Sequence, residues 1–427
     1  MQDGTGRPAV HAVGEGAVGA GAPDGVGSSD RGRRHIDAIT PFIDQPLVKI
    51  LAGIRRCGKS TIFEMLEEEL LRRGVPADHI ICKRYTEMDI PENSAAKQMY
   101  NELVEAMAGK GHCYLLLDEI QEIIGWERAV NSLLEGTDAD IYVTGSNSKL
   151  MSSEISTYLT GRYVSIPVYT LSFHEYLDFK ADSTLSRKEL LEEYIRFGGF
   201  PIIALSQYDA QSAYQIVNGI YHTVVSRDIV KRHRINKQDL FDRVVRFIIE
   251  NVGKTFSANS ISTFLKSEHR KVSVESIYNY LRWLEQAFII YPCERYDLQG
   301  KSILKTQEKY YLADVSLKYA LLGYNRKMLD GAMENIVFLE LKRRGYDVYI
   351  GKNDTKEIDF VATRRDERIY VQVCVQLPDG SDREVGNLME LKDHYPKYVV
   401  TLNDMDVGIE NGIKIVHLQD FLLAEMW

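Results

Sequence analysis

The sequence predicts an α/β protein: a parallel sheet with helices on both faces, then a helical middle and a second α/β region. Three observations lead there. Apolar runs alternate with amphipathic ones from about residue 34 to 180, which is the rhythm of strands joined by crossover helices. Those apolar runs are hydrophobic without alternation, as in strands covered on both sides. After about Lys180 the period becomes helical, and strand-like runs return only near 293.

"LVKILAG" (47–53) reads as a buried strand and "STIFEMLEEELLRRG" (60–74) as a helix ended by glycine. "HIICKRY" (79–85) is a second strand and "AAKQMYNELVEAMAG" (95–109) a helix. "HCYLLLDEI" (112–120), "WERAVNSLLEG" (126–136) and "ADIYVTGSN" (139–147) continue as strand, helix, strand. Three short helices are expected over 238–292 and a strand-rich segment near 293–312. From about 330 the order is helix, three strands, then mixed α/β to the end. Residues 1–33 hold nine of the 31 glycines with no periodicity, too little apolar surface to offset ordering, and are expected to be a disordered tail. The working division is a tail (1–33), a sheet core (34–180), a helical lid or linker (181–237), a helical module (238–325) and a C-terminal α/β domain (326–427).

Bulk properties narrow the function. No apolar run approaches the roughly 20 residues that span a bilayer, and no signal-type apolar block is seen at the N-terminus, so a cytoplasmic location is expected. The five cysteines (57, 82, 113, 293, 374) lack CxxC spacing, which argues against a zinc site or a disulfide framework. The net charge of −9 means that nucleic acid, if bound, must be met by a local basic patch.

The stretch "GIRRCGKST" carries the chemistry. Gly53, Gly58, Lys59 and Ser60 fill every fixed position of G-x-x-x-x-G-K-[ST], after a strand and at a helix start. Glycines let backbone N–H groups curl toward phosphate oxygens, and the helix start adds positive potential. The loop Gly53, Ile54, Arg55, Arg56, Cys57, Gly58, Lys59, Ser60 and Thr61 is thus expected to cradle a nucleotide, with Lys59 on the β- and γ-phosphates and Ser60 on Mg²⁺. "YLLLDEIQ" supplies the acids: Asp118 for Mg²⁺ and Glu119 to polarise the attacking water. At the next strand end, Asn147 is the first choice for touching the γ-phosphate or the water, with Thr144 and Ser146 behind it. The N-K-x-D motif of GTPases is absent from 147–150, which favours ATP. Arg162, on a loop before a strand, is either an arginine finger for a neighbouring subunit or a surface arginine. Arg227 is a weaker candidate for a sensing arginine, with a salt bridge to Asp228 or another carboxylate as the blander reading.

Further along, 256–265 and 273–287 have the spacing of a helix-turn-helix. Ser273 is the expected N-cap, with Ile277, Tyr280, Leu281 and Leu284 buried. Ser276, Asn279 and Arg282 then lie where duplex DNA would be read, and "KSEHRK" (266–271) and "GKSILK" (300–305) add positive charge. Glu275 and Glu285 oppose phosphate, and such modules also serve as protein-docking units.

"GIRRCGKST", "LLLDEIQ", "VTGSNS", "LTGRYVSIPVYTLSFHEYL" and "FGGFP" (197–201), with later blocks such as "KYYLADVSLKYALLG" and "EIDFVA", resemble the prokaryotic AAA-type ATPases that carry a C-terminal domain of unknown function. The resemblance covers about 34–377. It implies an ATPase core, a winged helix, and a fold similar to restriction endonucleases. In that last fold Glu334, Asp359 and "QVC" (372–374) stand where a metal-dependent nuclease has its acid, acid and [ED]-x-K set. Gln372 is a poor ligand for a hard cation, and Cys374 brings no positive charge. A degenerate site is therefore expected, with Lys342 or Lys356 as conceivable substitutes. The sequence reading is a Mg²⁺-dependent ATPase, in a possible homo-oligomer, that moves its C-terminal module. A nucleotide-gated DNA-binding or adaptor protein comes second, and an ATP-dependent nuclease third.

Overall fold

The computed structural model describes residues 33–85, 95–151, 153–235, 237–270, 272–378 and 383–427. Apart from Arg33, the expected tail lies outside them. The first sheet is built from β1 (Val48–Ala52), β2 (Ile80–Arg84), β3 (Cys113–Asp118), β4 (Ala139–Gly145) and β5 (Tyr163–Pro167). The order is β2-β3-β4-β1-β5 and every pairing is parallel. Helices Lys59–Arg72, Ala95–Met107 and Trp126–Gly136 make the crossovers. β1 and β3 are buried at every position, which is why their sequences show no polar alternation. β1 and β4 lie side by side in the interior, so the ends of β1, β3 and β4 meet on one rim.

One strand residue breaks the apolar pattern. Lys49 is fully buried in β1, where its ammonium is paired with Asp140 of β4 and donates to Gln45 O at 2.8 Å. Asp140 also accepts from Tyr142 Oη at 2.7 Å and from the Asp44 backbone N–H at 2.9 Å. The buried charges are thus satisfied as a small network.

Helices follow over 173–231, the last turn-and-a-half (Val225–Lys231) being π-helical. Helices Gln238–Glu250, Ala258–Ser267 and Val274–Gln286 lead into β6 (Ile290–Asp297) and β7 (Ser302–Leu312), an antiparallel hairpin. Helix Leu329–Arg343 precedes β8 (Asp347–Asn353), β9 (Lys356–Arg364) and β10 (Glu367–Val373). β11 (Lys397–Thr401), β12 (Gly408–Glu410) and β13 (Ile413–His417) complete a mixed sheet of order β12-β13-β11-β10-β9-β8-β6-β7. β6 pairs in parallel with β8, so the second sheet runs without a break from the hairpin at 290–312 into the C-terminal region.

One buried carboxylate ties the chain after β7 to the "FGGFP" turn. Asp314, just after β7, accepts from the Gly199 backbone N–H at 2.8 Å and from Ser316 N–H at 2.9 Å. At Gly198 the backbone takes φ +72°, and a Cβ there would lie 1.7 Å from Asp314 Oδ1. Gly198 of "FGGFP" is required by this approach, and a Cβ at Gly199 would lie 2.3 Å from Leu171 O. No helix among the described residues is long and apolar enough to cross a membrane.

Candidate nucleotide site

β1 ends at Ala52 and the chain turns at Gly53, where a Cβ would come within 1.9 Å of Val168 O. Only glycine fits between the end of β1 and the strand beside it. Gly58 takes φ +106° and caps the helix that begins at Lys59. The turn therefore delivers a helix N-terminus to the rim of the sheet, a fixed anion-binding geometry. Pro201 of "FGGFP" lies close behind, its Cγ 3.7 Å from where a Gly58 Cβ would stand.

Lys59 is buried, and its Nζ donates to Gly53 O at 2.9 Å and Ile54 O at 3.0 Å. The loop thus curls around its own lysine. Arg56 takes φ +68° within the same curl. Cys57 is buried with its Sγ 3.5 Å from Val168 O, and burial pushes its thiol up from the ordinary range.

Across the rim, Ser60 Oγ donates to Asp118 Oδ2 at 2.8 Å, and Thr144 Oγ1 donates to Asp118 Oδ1. A hydroxyl and a carboxylate brought together at a helix start are hard oxygen donors of the kind Mg²⁺ takes, directly or through water. Glu119 follows in the left-handed region (φ +57°), with its backbone N–H held by Thr144 Oγ1 at 3.0 Å. Its carboxylate accepts from Gln121 Nε2 and, at 3.3 Å, from Ser146 Oγ. The structure therefore brings Lys59, Ser60, Asp118 and Glu119 to one rim. Thr144 and Ser146, ranked behind Asn147 in the sequence reading, bond Asp118 and Glu119 respectively. Asn147 is buried at the same strand end.

Arg162 is not at this rim. It precedes β5, and its backbone O accepts from Val48 N–H at 3.0 Å, at the opposite end of β1 from the loop. Its guanidinium bonds Glu135 Oε1 at 2.5 Å and Asn131 Oδ1 at 3.0 Å. Arg227 is exposed, and it is Asp228 beside it that reaches the loop, through Arg55.

Arg84 and Gln121 escaped the sequence reading, and Asp228 entered it only as a partner for Arg227. Arg84, at the end of β2, donates to Asp118 Oδ2 at 2.9 Å. Gln121 holds Glu119, and its place two residues after the acids was the one available signal. Asp228 is bound to Arg55 across 173 residues of chain, which no local pattern reveals.

In the second sheet, the helix of "SANSISTFLKS" and the helix 274–286 pack as a pair, and Ser273 Oγ accepts from Ser276 N–H at 3.1 Å as an N-cap. Ile277, Tyr280, Leu281 and Leu284 are buried. Arg282 is exposed and bonds Asn279 Oδ1 at 3.0 Å, while Ser276 Oγ meets Ser273 Oγ at 2.8 Å. Glu334 and Asp359 converge, and Gln372 Oε1 accepts from Asp359 N–H at 3.2 Å. The lysine among them is Lys309 of β7, with Nζ 3.2 Å from Glu334, 3.0 Å from Glu357 and 3.7 Å from Asp359. It is neither Lys342 nor Lys356; Lys356 is turned to Glu390 at 2.5 Å. Burial, and then the neighbouring Glu334, hold Asp359 well above the usual carboxylate range.

Residues 45–177 match the family model of an AAA domain, and residues 188–327 match a domain of unknown function (DUF8612). Among solved structures, a Walker-type ATPase of Pyrococcus abyssi aligns with 68% of this chain and 95% of its own, at 15% identity and a TM-score of 0.49, too slight a likeness to carry an argument. An uncharacterized protein of Haemophilus influenzae is 35% identical over 91% of this chain and 97% of its own length. An uncharacterized protein of Methanocaldococcus jannaschii is 32% identical over 84% of this chain and 82% of its own. The protein belongs to one family with these two, and its amino-terminal region carries an AAA domain.

Proposed function

We propose that the protein binds Mg·ATP in the loop 53–61 and hydrolyses it, and that the cycle moves the C-terminal module. One observation carries this most: Ser60, Asp118 and Glu119 meet on the rim where the glycine loop opens a helix. Lys59 exchanges the carbonyls of its own loop for phosphate oxygens. Ser60 and Asp118 would hold Mg²⁺, which would supply charge neutralisation on those oxygens. Glu119 accepts a proton from the attacking water, with Gln121 and Ser146 fixing its carboxylate. Asn147, at the same strand end, is suited to the γ-phosphate or the water. The helical module (238–325) is proposed as a winged helix able to meet duplex DNA through Ser276, Asn279 and Arg282. The region 326–427 is proposed as an endonuclease-like fold without turnover, since Gln372 stands where a second metal-binding carboxylate is needed. We place the protein in the cytoplasm.

A second reading is favoured by the position of Arg162. With that arginine at the far end of β1, one chain by itself supplies it to no phosphate, so an isolated subunit would act as a nucleotide-gated adaptor with little turnover. Titration calorimetry with ATP and GTP, with and without Mg²⁺, tests the common ground. ATP binding that needs Mg²⁺ and is lost in Lys59→Ala is expected. Equal binding by Lys59→Ala would contradict the site.

A further inference from the structure

Arg55 ties the glycine loop to a distant segment. Its Nε donates to Asp228 Oδ2 at 2.7 Å and its Nη2 to Asp228 Oδ1 at 2.9 Å, a two-pronged pair of the strong kind. The same guanidinium lies 3.3 Å from Glu122 and 3.7 Å from Glu119. Three carboxylates therefore share one cation inside the loop that is to receive phosphates. Burial works against that charge, but Asp228, Glu119 and Glu122 together more than offset it and leave the guanidinium firmly protonated.

Asp228 is buried in the π-helical stretch 225–231 that ends helix 210–224. Such stretches hold an extra residue per turn and often mark functional sites. A few residues on, His233 stacks on Trp283 of helix 274–286, with ring centroids 4.3 Å apart and planes 11° from parallel. Direct contacts thus run from the loop to Asp228, through the stretch that follows, and onto the helix that carries Arg282.

An arginine fork suits phosphate as well as carboxylate. If phosphate oxygens drew Arg55 toward them, Glu119 would be released to act on water. Asp228 would also be left buried without its counter-ion, a state costly enough to force local repacking. We propose that Arg55 and Asp228 form a nucleotide-responsive latch, in which nucleotide phosphates pull Arg55 from Asp228 and Glu119 and the loosened 225–231 segment passes the change to helix 274–286. The latch rests on the ATP reading above and names its regulation. Asp228 acts as a positioning residue, through Arg55.

The test is hydrogen exchange on the full chain with and without Mg²⁺ and the non-hydrolysable analogue AMP-PNP, with binding measured on the same sample by calorimetry. The latch predicts that amides of 225–235 exchange about tenfold faster in the complex, within the usual range for coupled sites. By reciprocity, Asp228→Asn binds AMP-PNP about tenfold more tightly, and Asp228→Glu moves back toward wild type. Should Asp228→Asn fail to fold, Arg55→Lys keeps the charge, breaks the fork and is expected to show fast exchange before nucleotide is added. Bound AMP-PNP with unchanged exchange at 225–235 would overturn the latch and leave the ATP reading standing. No binding by the wild type would overturn both.

Discussion

Lys49 shows what a single residue in the wrong environment demands. Its strand is apolar, and nothing near it in sequence announces a partner; Asp140 comes from a strand 91 residues away. Removing one member of such a buried pair leaves the other charge uncompensated. Asp140→Ala is expected to destabilise the chain by about 3–5 kcal/mol, read from denaturant unfolding. Gly198 is the opposite case, a residue defined by what it lacks. Gly198→Ala puts a methyl into Asp314 at a positive φ, so a loss of more than about 1 kcal/mol in the same assay is expected. The glycine loop and the Asp118–Glu119 pair were legible because their chemistry needs fixed residue types at fixed spacing. Arg84, Asp228 and Lys309 were not, because each acts on a group that only the tertiary fold brings near.

At the scale of elements, period and capping decided most. The helix 274–286 was legible to the residue: Ser273 caps it and the four expected side chains are buried. Ser273→Ala is expected to cost about 1 kcal/mol by loss of that cap, seen as a lower melting temperature. The same helix carries a titration. Burial, then repulsion from Glu308, raise Glu285 from 4.5 to about 7, against the pull of Arg282. A carboxyl raised in the folded state stabilises below its unfolded pKa, and that contribution fades as pH rises through the folded value. Wild type should therefore lose stability relative to Glu285→Gln as pH rises from about 4.5 to about 7, and thermal melts across that window check it. The hairpin β6–β7 falls where a strand-rich segment was expected, near 293–312. Its pairing with β8 was not legible, since a parallel contact between distant strands leaves no mark in either one.

At the scale of the molecule, Asp314 ties the chain after β7 to the "FGGFP" turn, whose proline backs the glycine loop. The glycine loop thus packs against the same turn that Asp314 holds. The position of Arg162 bears on assembly. If it serves a neighbouring subunit, Arg162→Ala should lower turnover by about 10³-fold while leaving ATP binding unchanged, the behaviour of an arginine finger. Turnover per chain should then also rise with protein concentration.

Phosphate release from ATP by the full chain, measured beside Lys59→Ala and Glu119→Gln, tests the central claim most directly. The account predicts Mg²⁺-dependent release that both substitutions abolish, with Glu119→Gln still binding ATP. Release that survives Glu119→Gln, or ATP that is bound by the wild type and never hydrolysed at any protein concentration, would contradict it.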